Sequence, residues 1–378
     1  MRKLLLLAAI FVLFFSGAGN ASSTNSENAT SFLDHIQSGI ATIKDHIDTE
    51  AIMNTIADVV QTINQTFDRF TNNGEEQNTN NAKIEKLNLE TPTTQIFSVS
   101  NIELGDTKES VIKQFGKPDR SSLNEYGVDW DTYHDNYKNF FMVMYDEKDH
   151  VAGLYTNQAL VSSTNGITIG KSTKDNVIAT MGEPLQEIRK GFVMYELPED
   201  RDYDMFSKNN SYITIFYDKH ENNSVSAIQL ISEELEEQKQ DFYTKASDSL
   251  IEGFEYQLFD LTNAARVEHG LSVLTWDEHV RATARKHSED MAVNNYFDHT
   301  NLEGKSPFDR MKDDNIFFLL AGENLAYGQF SSIFAHEGLM NSLGHRENIL
   351  QKDFEYLGVG VAFNSEAHPY YTENFYAK

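Results

Sequence analysis

Apolar residues recur through residues 30–70 at helical spacing, running from Phe32, Ile36, Ile40, Ile43 and Ile47 across one five-residue step to Ile52, Ile56, Val59, Ile63, Phe67 and Phe70. The pattern predicts one long amphipathic helix, or two broken near residues 48–50. Such a stripe needs an apolar partner. Packing on itself as a hairpin or coiled-coil stalk supplies one, with self-association through residues 30–70 as the consequence. A membrane surface is the other candidate, but the polar face carries mostly Asp, Glu and amides rather than Lys and Arg. Residues 72–81 contain no apolar side chain, so residues 71–93 read as a flexible linker.

Over residues 94–232 the period changes. Ile102-Glu103-Leu104-Gly105, followed by Val111, Gly116 and Pro118, is echoed by Ile167-Thr168-Ile169-Gly170, followed by Val177, Gly182 and Pro184. Each copy reads as a short helix stopped at Gly-x-Pro, with Gly116 and Gly182 as C-caps. Each then continues into an apolar run ending in aspartate, Phe140 to Asp146 and Tyr212 to Asp218, that turns back into Val151 to Tyr155 or Val225 to Ile231. Two such units predict one α+β domain. Asp129, Asp131 and Asp135 lie close together but lack the glycine and terminal glutamate of a calcium loop.

Residues 233–249 are a polar linker helix. After them Leu250, Phe254, Leu258, Leu261 and Ala265 form a helical stripe ending at Gly270, and Val280, Ala284, His287 and Met291 form another beginning after Asp277. His287, on the apolar side, reads as a hydrogen-bonded core histidine. Alternation at Leu357, Val359, Val361 and Phe363, a turn over residues 364–368 and the run Tyr370 to Tyr376 predict two closing strands.

Composition narrows the setting. The 378 residues carry 31 Lys plus Arg against 58 Asp plus Glu, a formal charge of −27 that repels nucleic acid and anionic lipid. Arg2 and Lys3, the apolar run Leu4 to Phe15 and Gly19-Asn20-Ala21 make residues 1–21 an export signal, so a secreted or cell-surface protein is expected. An uncleaved membrane anchor is the alternative, although the apolar run of about 15 residues is short of the roughly 20 a span needs. With no cysteine in the chain, disulfides, a lipidated cysteine and thiolate zinc sites are excluded, which suits export from a Gram-positive bacterium.

The C-terminal motifs carry a resemblance. Asn263-Ala264-Ala265-Arg266, Leu274-Thr275-Trp276, Tyr296-Phe297-Asp298-His299, Gly304 with Pro307 and Arg310, Gly322-Glu323-Asn324-Leu325-Ala326, Gly344-His345-Arg346, Asn348-Ile349-Leu350 and Gly358-Val359-Gly360 stand in one order over residues 250–378. Together they resemble the bacterial branch of the CAP superfamily, which takes in cysteine-rich secretory proteins, antigen 5 and the plant pathogenesis-related 1 proteins. Residues 94–232 resemble the module that often precedes this domain in exported proteins of Bacillus-like bacteria.

That resemblance implies an α-β-α sandwich with a cleft of two histidines and two glutamates. Motif for motif, His299 and His345 are the histidines and Glu323 the first glutamate. The second is open: Leu339 stands where a tryptophan is expected, Ser342 where the acid would fall and Leu343 where bacterial relatives have proline. Glu337 is the candidate, against a solvated surface glutamate. Two imidazoles and a carboxylate can hold Zn²⁺ or another divalent cation and acidify a bound water. No nucleophile accompanies them: Met340 replaces the second histidine of a His-Glu-x-x-His motif begun by His336-Glu337, and neither Gly-x-Ser-x-Gly nor cysteine is present. Catalytic residues are therefore unassigned, with His299, Glu323 and His345 the candidates. The expected function is an exported protein binding a divalent metal or a small, lipid-like or peptide ligand at the cell envelope; a metal-dependent, protease-like hydrolase is the alternative.

Overall fold

The computed structural model describes residues 88–378. The expected signal, the amphipathic segment 30–70 and most of the linker lie outside the described residues. Residues 97–238 contain, in chain order, β1 (Phe97–Val99), α1 (Lys108–Phe115), β2 (Arg120–Leu123), β3 (Asp129–Asp135), β4 (Lys138–Tyr145), β5 (Val151–Thr156), β6 (Val161–Ser163), α2 (Lys174–Met181), β7 (Glu187–Lys190), β8 (Val193–Glu196), β9 (Tyr203–Lys208), β10 (Ser211–Asp218), β11 (Ser224–Ser232) and α3 (Glu233–Gln238).

Local chemistry sets the two early helices. Thr107 and Thr173 cap the N-termini of α1 and α2 by accepting the N–H groups of Ser110 and Asn176. Gly116 and Gly182, both at φ 85°, end them by donating to the carbonyls of Ile112 and Ile178, as the Gly-x-Pro spacing predicts.

Seven strands form an antiparallel sheet in the order β2-β3-β4-β5-β11-β10-β9. Its inner strand β4 reads as a continuous apolar run from Phe140 to Tyr145 because both faces are covered. Phe141, Val143 and Tyr145 share a core with Val111 of α1 and Val177 of α2. The alternate residues Phe140, Met142 and Met144 share another with Leu261, Ala264, Ile333 and Phe334 of the C-terminal domain.

That domain consists of α4 (Asp248–Glu268), β12 (Thr275–Trp276), α5 (Glu278–Asn294), α6 (Pro307–Asp313), β13 (Leu320–Tyr327), α7 (Ser332–Asn341), α8 (Leu343–Ile349), β14 (Tyr356–Phe363) and β15 (Pro369–Ala377). Its sheet has the order β12-β14-β15-β13. Leu357, Val359 and Val361 of β14 pack against Leu250, Phe254 and Leu258 of α4, while the other face meets α5 and α6, giving the α-β-α sandwich. On that second face Gly358 and Gly360 let helix backbone lie directly on the strand. A Cβ at these positions would stand 2.2 Å from the Arg281 nitrogen and 2.0 Å from the Arg285 nitrogen.

Helix α4 departs from the single-stripe expectation. Every residue from Gln257 to Arg266 is buried, because the helix lies between the two sheets rather than on the outside of one. Its polar side chains are satisfied across that junction. Asp260 accepts from Arg120 Nε and the Tyr137 hydroxyl, both at 2.8 Å, and Gln257 donates to the Leu123 carbonyl at 3.0 Å.

Candidate functional site

Three elements converge at one end of the C-terminal sheet: the segment between α5 and α6, which carries His299; β13, which carries Glu323; and α8, which carries His345. Glu323, midway along the edge strand β13, is paired in register with Asn374 of β15, so its carboxylate emerges from a fixed backbone. One oxygen, Oε1, lies 2.9 Å from His299 Nδ1. The other accepts Arg310 Nη2 at 2.5 Å. The Glu323 side chain is 1% exposed, that of His299 52%, so a buried carboxylate holds a ring that faces solvent.

A carboxylate paired with a guanidinium only accepts, so Nδ1 of His299 is the donor in this contact. Arg310 is the clamp behind this geometry. Its Nη1 also donates to the carbonyl of His299 at 2.7 Å and to that of Lys305 at 3.2 Å, fixing ring and backbone from one planar group.

His345 is set by different chemistry. Its Nδ1 lies 2.7 Å from the hydroxyl of Ser342, the residue standing where an acid was expected. Burial first, and then the neighbouring charge of His299, hold its pKa below the usual imidazole value. The neutral form of His345 is thus favoured.

Behind the rings lies a network that ties the elements together. Asn348 donates to the Glu323 carbonyl at 3.2 Å and to Asn324 Oδ1 at 2.9 Å. Asn324 donates to the carbonyl of His345 at 3.2 Å and to Glu373 at 3.0 Å. Glu373, on β15, also accepts the Thr262 hydroxyl at 2.8 Å, and complete burial raises its pKa to about 7. The only sequence signal for Glu373 is an acid, with Thr372 and Asn374, between the apolar ends of the closing strand. Ser342 gives no signal, since a capping serine looks the same.

His287 is a core residue, with Nε2 2.9 Å from the Asp298 carbonyl. Glu337, the sequence candidate for the fourth cleft position, does not join the cleft. It points to the seven-stranded sheet, where its oxygens accept the Tyr155 hydroxyl at 2.7 Å and Ser226 Oγ at 3.1 Å. The reason is the side of α7 on which it lies, a side covered by another sheet. Arg346 likewise spans the junction, meeting Asp218 at 2.9 Å.

Among the described residues no group of three His, Cys, Asp or Glu side chains is placed to hold a metal ion. Glu323 has both oxygens committed. Glu323 and Ser342 meet the Nδ1 atoms of the two histidines. Phe297 and Leu343, each two residues before one of the histidines, are exposed. No helix among the described residues is long and apolar enough to cross a membrane.

Comparison with known proteins places these features. Residues 104–242 match the CAP-associated N-terminal family and residues 259–375 the cysteine-rich secretory protein (CAP) family. The protein named "Uncharacterized membrane protein YlbC" of Bacillus subtilis strain 168 is 28% identical over 333 residues, which are 82% of this chain and 91% of that protein. YkwD, an uncharacterized protein of the same strain, is 40% identical over 135 residues, 36% of this chain and 51% of its own length. The crystal structure of an extracellular protein containing an SCP domain from Bacillus anthracis strain Ames matches with a TM-score of 0.64 at 26% identity, over 78% of this chain and 100% of that one. A cysteine-rich secretory protein from Staphylococcus aureus shares the fold, with a TM-score of 0.59 at 16% identity over 76% of this chain and 95% of its own. With both domains matched in order, the chain belongs to the CAP-domain proteins that carry a CAP-associated domain ahead of the CAP domain.

Proposed function

We propose that this is an exported binding protein of the cell envelope whose cleft takes a divalent cation, zinc being the best match for two neutral imidazoles, through Nε2 of His299 and of His345. The observation that carries this reading is the anchoring of both Nδ1 atoms, one by the Glu323 carboxylate and one by the Ser342 hydroxyl. Such outer partners fix ring orientation and present the far nitrogen as a ligand. A bound cation would supply positive charge and open positions for water or for donor groups of a ligand lying along Phe297 and Leu343.

The residues of the chain do the positioning. Arg310 holds Glu323, Glu323 holds His299, and the Asn324–Asn348 pair keeps the strand and α8 in register. The hydrolase alternative would need a carboxylate free to take a proton from water, and Glu323 is committed at both oxygens. Binding is therefore the reading we favour. Retention at the envelope would come from residues 1–21 as an uncleaved anchor or from the 30–70 segment, and cell fractionation with and without these segments tests it.

The cleft is tested by calorimetric titration of the purified chain with Zn²⁺. One equivalent should bind, His299→Ala and His345→Ala should each abolish binding, and Glu323→Gln should weaken it by about 10- to 100-fold. Zinc binding indifferent to both histidines, or none at millimolar zinc, would remove the reading. Metal-dependent turnover of a peptide or ester, lost in His345→Ala, would favour the hydrolase instead.

A further inference from the structure

The end of β10 is a docking face that the chain uses internally. Lys174, the first residue of α2, has its Nζ 3.5 Å from Asp204 and 5.3 Å from the centre of the Tyr217 ring. The Tyr217 hydroxyl donates to Asp204 at 3.0 Å. The next residue, Asp218, receives Arg346 at 2.9 Å. Asn341 completes the joint, donating to the Tyr217 carbonyl at 2.8 Å and accepting the Lys219 N–H at 3.0 Å. An arginine and an asparagine on the α7–α8 corner thus plug the strand end.

The end of β4 carries the same parts. Lys108, the first residue of α1, lies 3.7 Å from Asp131 and 4.6 Å from the centre of the Tyr145 ring, and Asp146 follows. The registers agree. Asp131 pairs with Val143 and Asp204 with Ile215, each two residues before its tyrosine. Gly105 and Gly170 donate to the carbonyls of Val151 and Val225, both at 2.8 Å. Asp146 and Asp218 each accept the N–H two residues on, at 2.8 Å.

The two ends differ in what meets them. Among the described residues no arginine reaches Asp146, whose Oδ2 has only His150 at 3.8 Å. Tyr145 is buried, and its hydroxyl and that of Tyr133 meet no group beyond one another. Beside them opens a groove of about 320 Å³ lined by Asp129, Asp131, Asp146, Asp149 and Lys108, four carboxylates against one ammonium.

We propose that the end of β4 is a second docking face of this type, receiving from another protein a helix corner that presents an arginine and an amide as Arg346 and Asn341 do. The chain's own corner is committed to Asp218, which leaves this face for a partner. The net negative charge of the groove suits a guanidinium with its fork of donors, as Asp218 takes Arg346 at the end of β10. Because the site lies apart from the histidine cleft, it stands or falls independently of zinc binding.

The probe is a helix-stapled, fluorescein-labelled peptide spanning residues 332–350, added to the full chain at low salt and followed by anisotropy. Saturable binding is expected. It should weaken at least about tenfold with Asp146→Asn, or with Arg346→Ala in the peptide, and stay unchanged with Asp218→Asn. Asp149→Asn is a second, conservative variant, since Asp149 is exposed at φ 59°, a conformation asparagine tolerates, and it should weaken binding too. No saturation by about 1 mM peptide, binding indifferent to both Asp146 and Asp149, or binding lost only with Asp218→Asn would each overturn the proposal.

Discussion

Replacing Glu337 with glutamine measures what the junction between the two domains costs at neutral pH. Glu337 is fully buried and accepts from Tyr155 of β5 and Ser226 of β11; Asp218 at the end of β10 disfavours its charge and Arg346 of α8 favours it. Burial dominates and lifts its pKa from 4.5 to about 7. The sign follows from which state keeps the proton. Below about pH 4.5 both folded and unfolded chains are protonated and no difference arises. Between about pH 4.5 and 7 the unfolded chain releases the proton while the folded one retains it, so stability falls as pH rises. Above pH 7 both are ionised and the loss levels off. At about 1.4 kcal/mol per tenfold of proton affinity, the full loss is roughly 3 kcal/mol.

Glutamine keeps an oxygen for Tyr155 and offers its amide to Ser226, yet never ionises. Urea unfolding of both proteins should therefore show Glu337→Gln near wild type at pH 4.5 to 5 and more stable by about 3 kcal/mol at pH 8. Glu373, also raised to about 7 by burial, gives both proteins the same underlying slope and cancels from the comparison. A variant-minus-wild-type difference that is equal at the two pH values, or a variant less stable at pH 8, would refute the reasoning.

Two further substitutions test the supports of the cleft and of the junction. Arg310→Ala leaves the buried Glu323 carboxylate without its guanidinium and should cost about 3–5 kcal/mol, read as a lowered thermal midpoint, with Arg310→Lys recovering only part because it cannot span Glu323 and two carbonyls. Gly253→Ala would place a Cβ 2.1 Å from the Leu123 carbonyl oxygen, backbone that cannot swing away; the domains should part, and limited proteolysis in residues 239–247 should accelerate while far-ultraviolet circular dichroism changes little.

The sequence carried its information where the chemistry is local. Gly-x-Pro after each short helix marked the C-terminal ends of α1 and α2, because caps are made within a few residues of the ends they satisfy. Asp277 signalled the start of α5 in the same way, its carboxylate accepting the N–H groups of His279 and Val280. The ordered motifs fixed the CAP sandwich, and they named His299, Glu323 and His345, which the folded chain brings to one place. The apolar side of α5 likewise marked His287 as a core residue.

Only the tertiary structure decided the rest, because those outcomes depend on surfaces that arrive from far along the chain. Glu337 is a junction residue since Tyr155, 182 positions away, covers its side of α7. Helix α4 is buried all round since a second sheet packs on the face that its pattern left for water. Ser342 and Glu373 enter the site network through contacts with His345 and with Thr262 and Asn324, none of which spacing encodes. Glu323 became the holder of His299 rather than an open ligand because Arg310, thirteen residues earlier, folds back to claim its second oxygen. Local hydrogen bonds and periodic burial can be read one segment at a time; the partner of a buried charge is settled only when two segments meet.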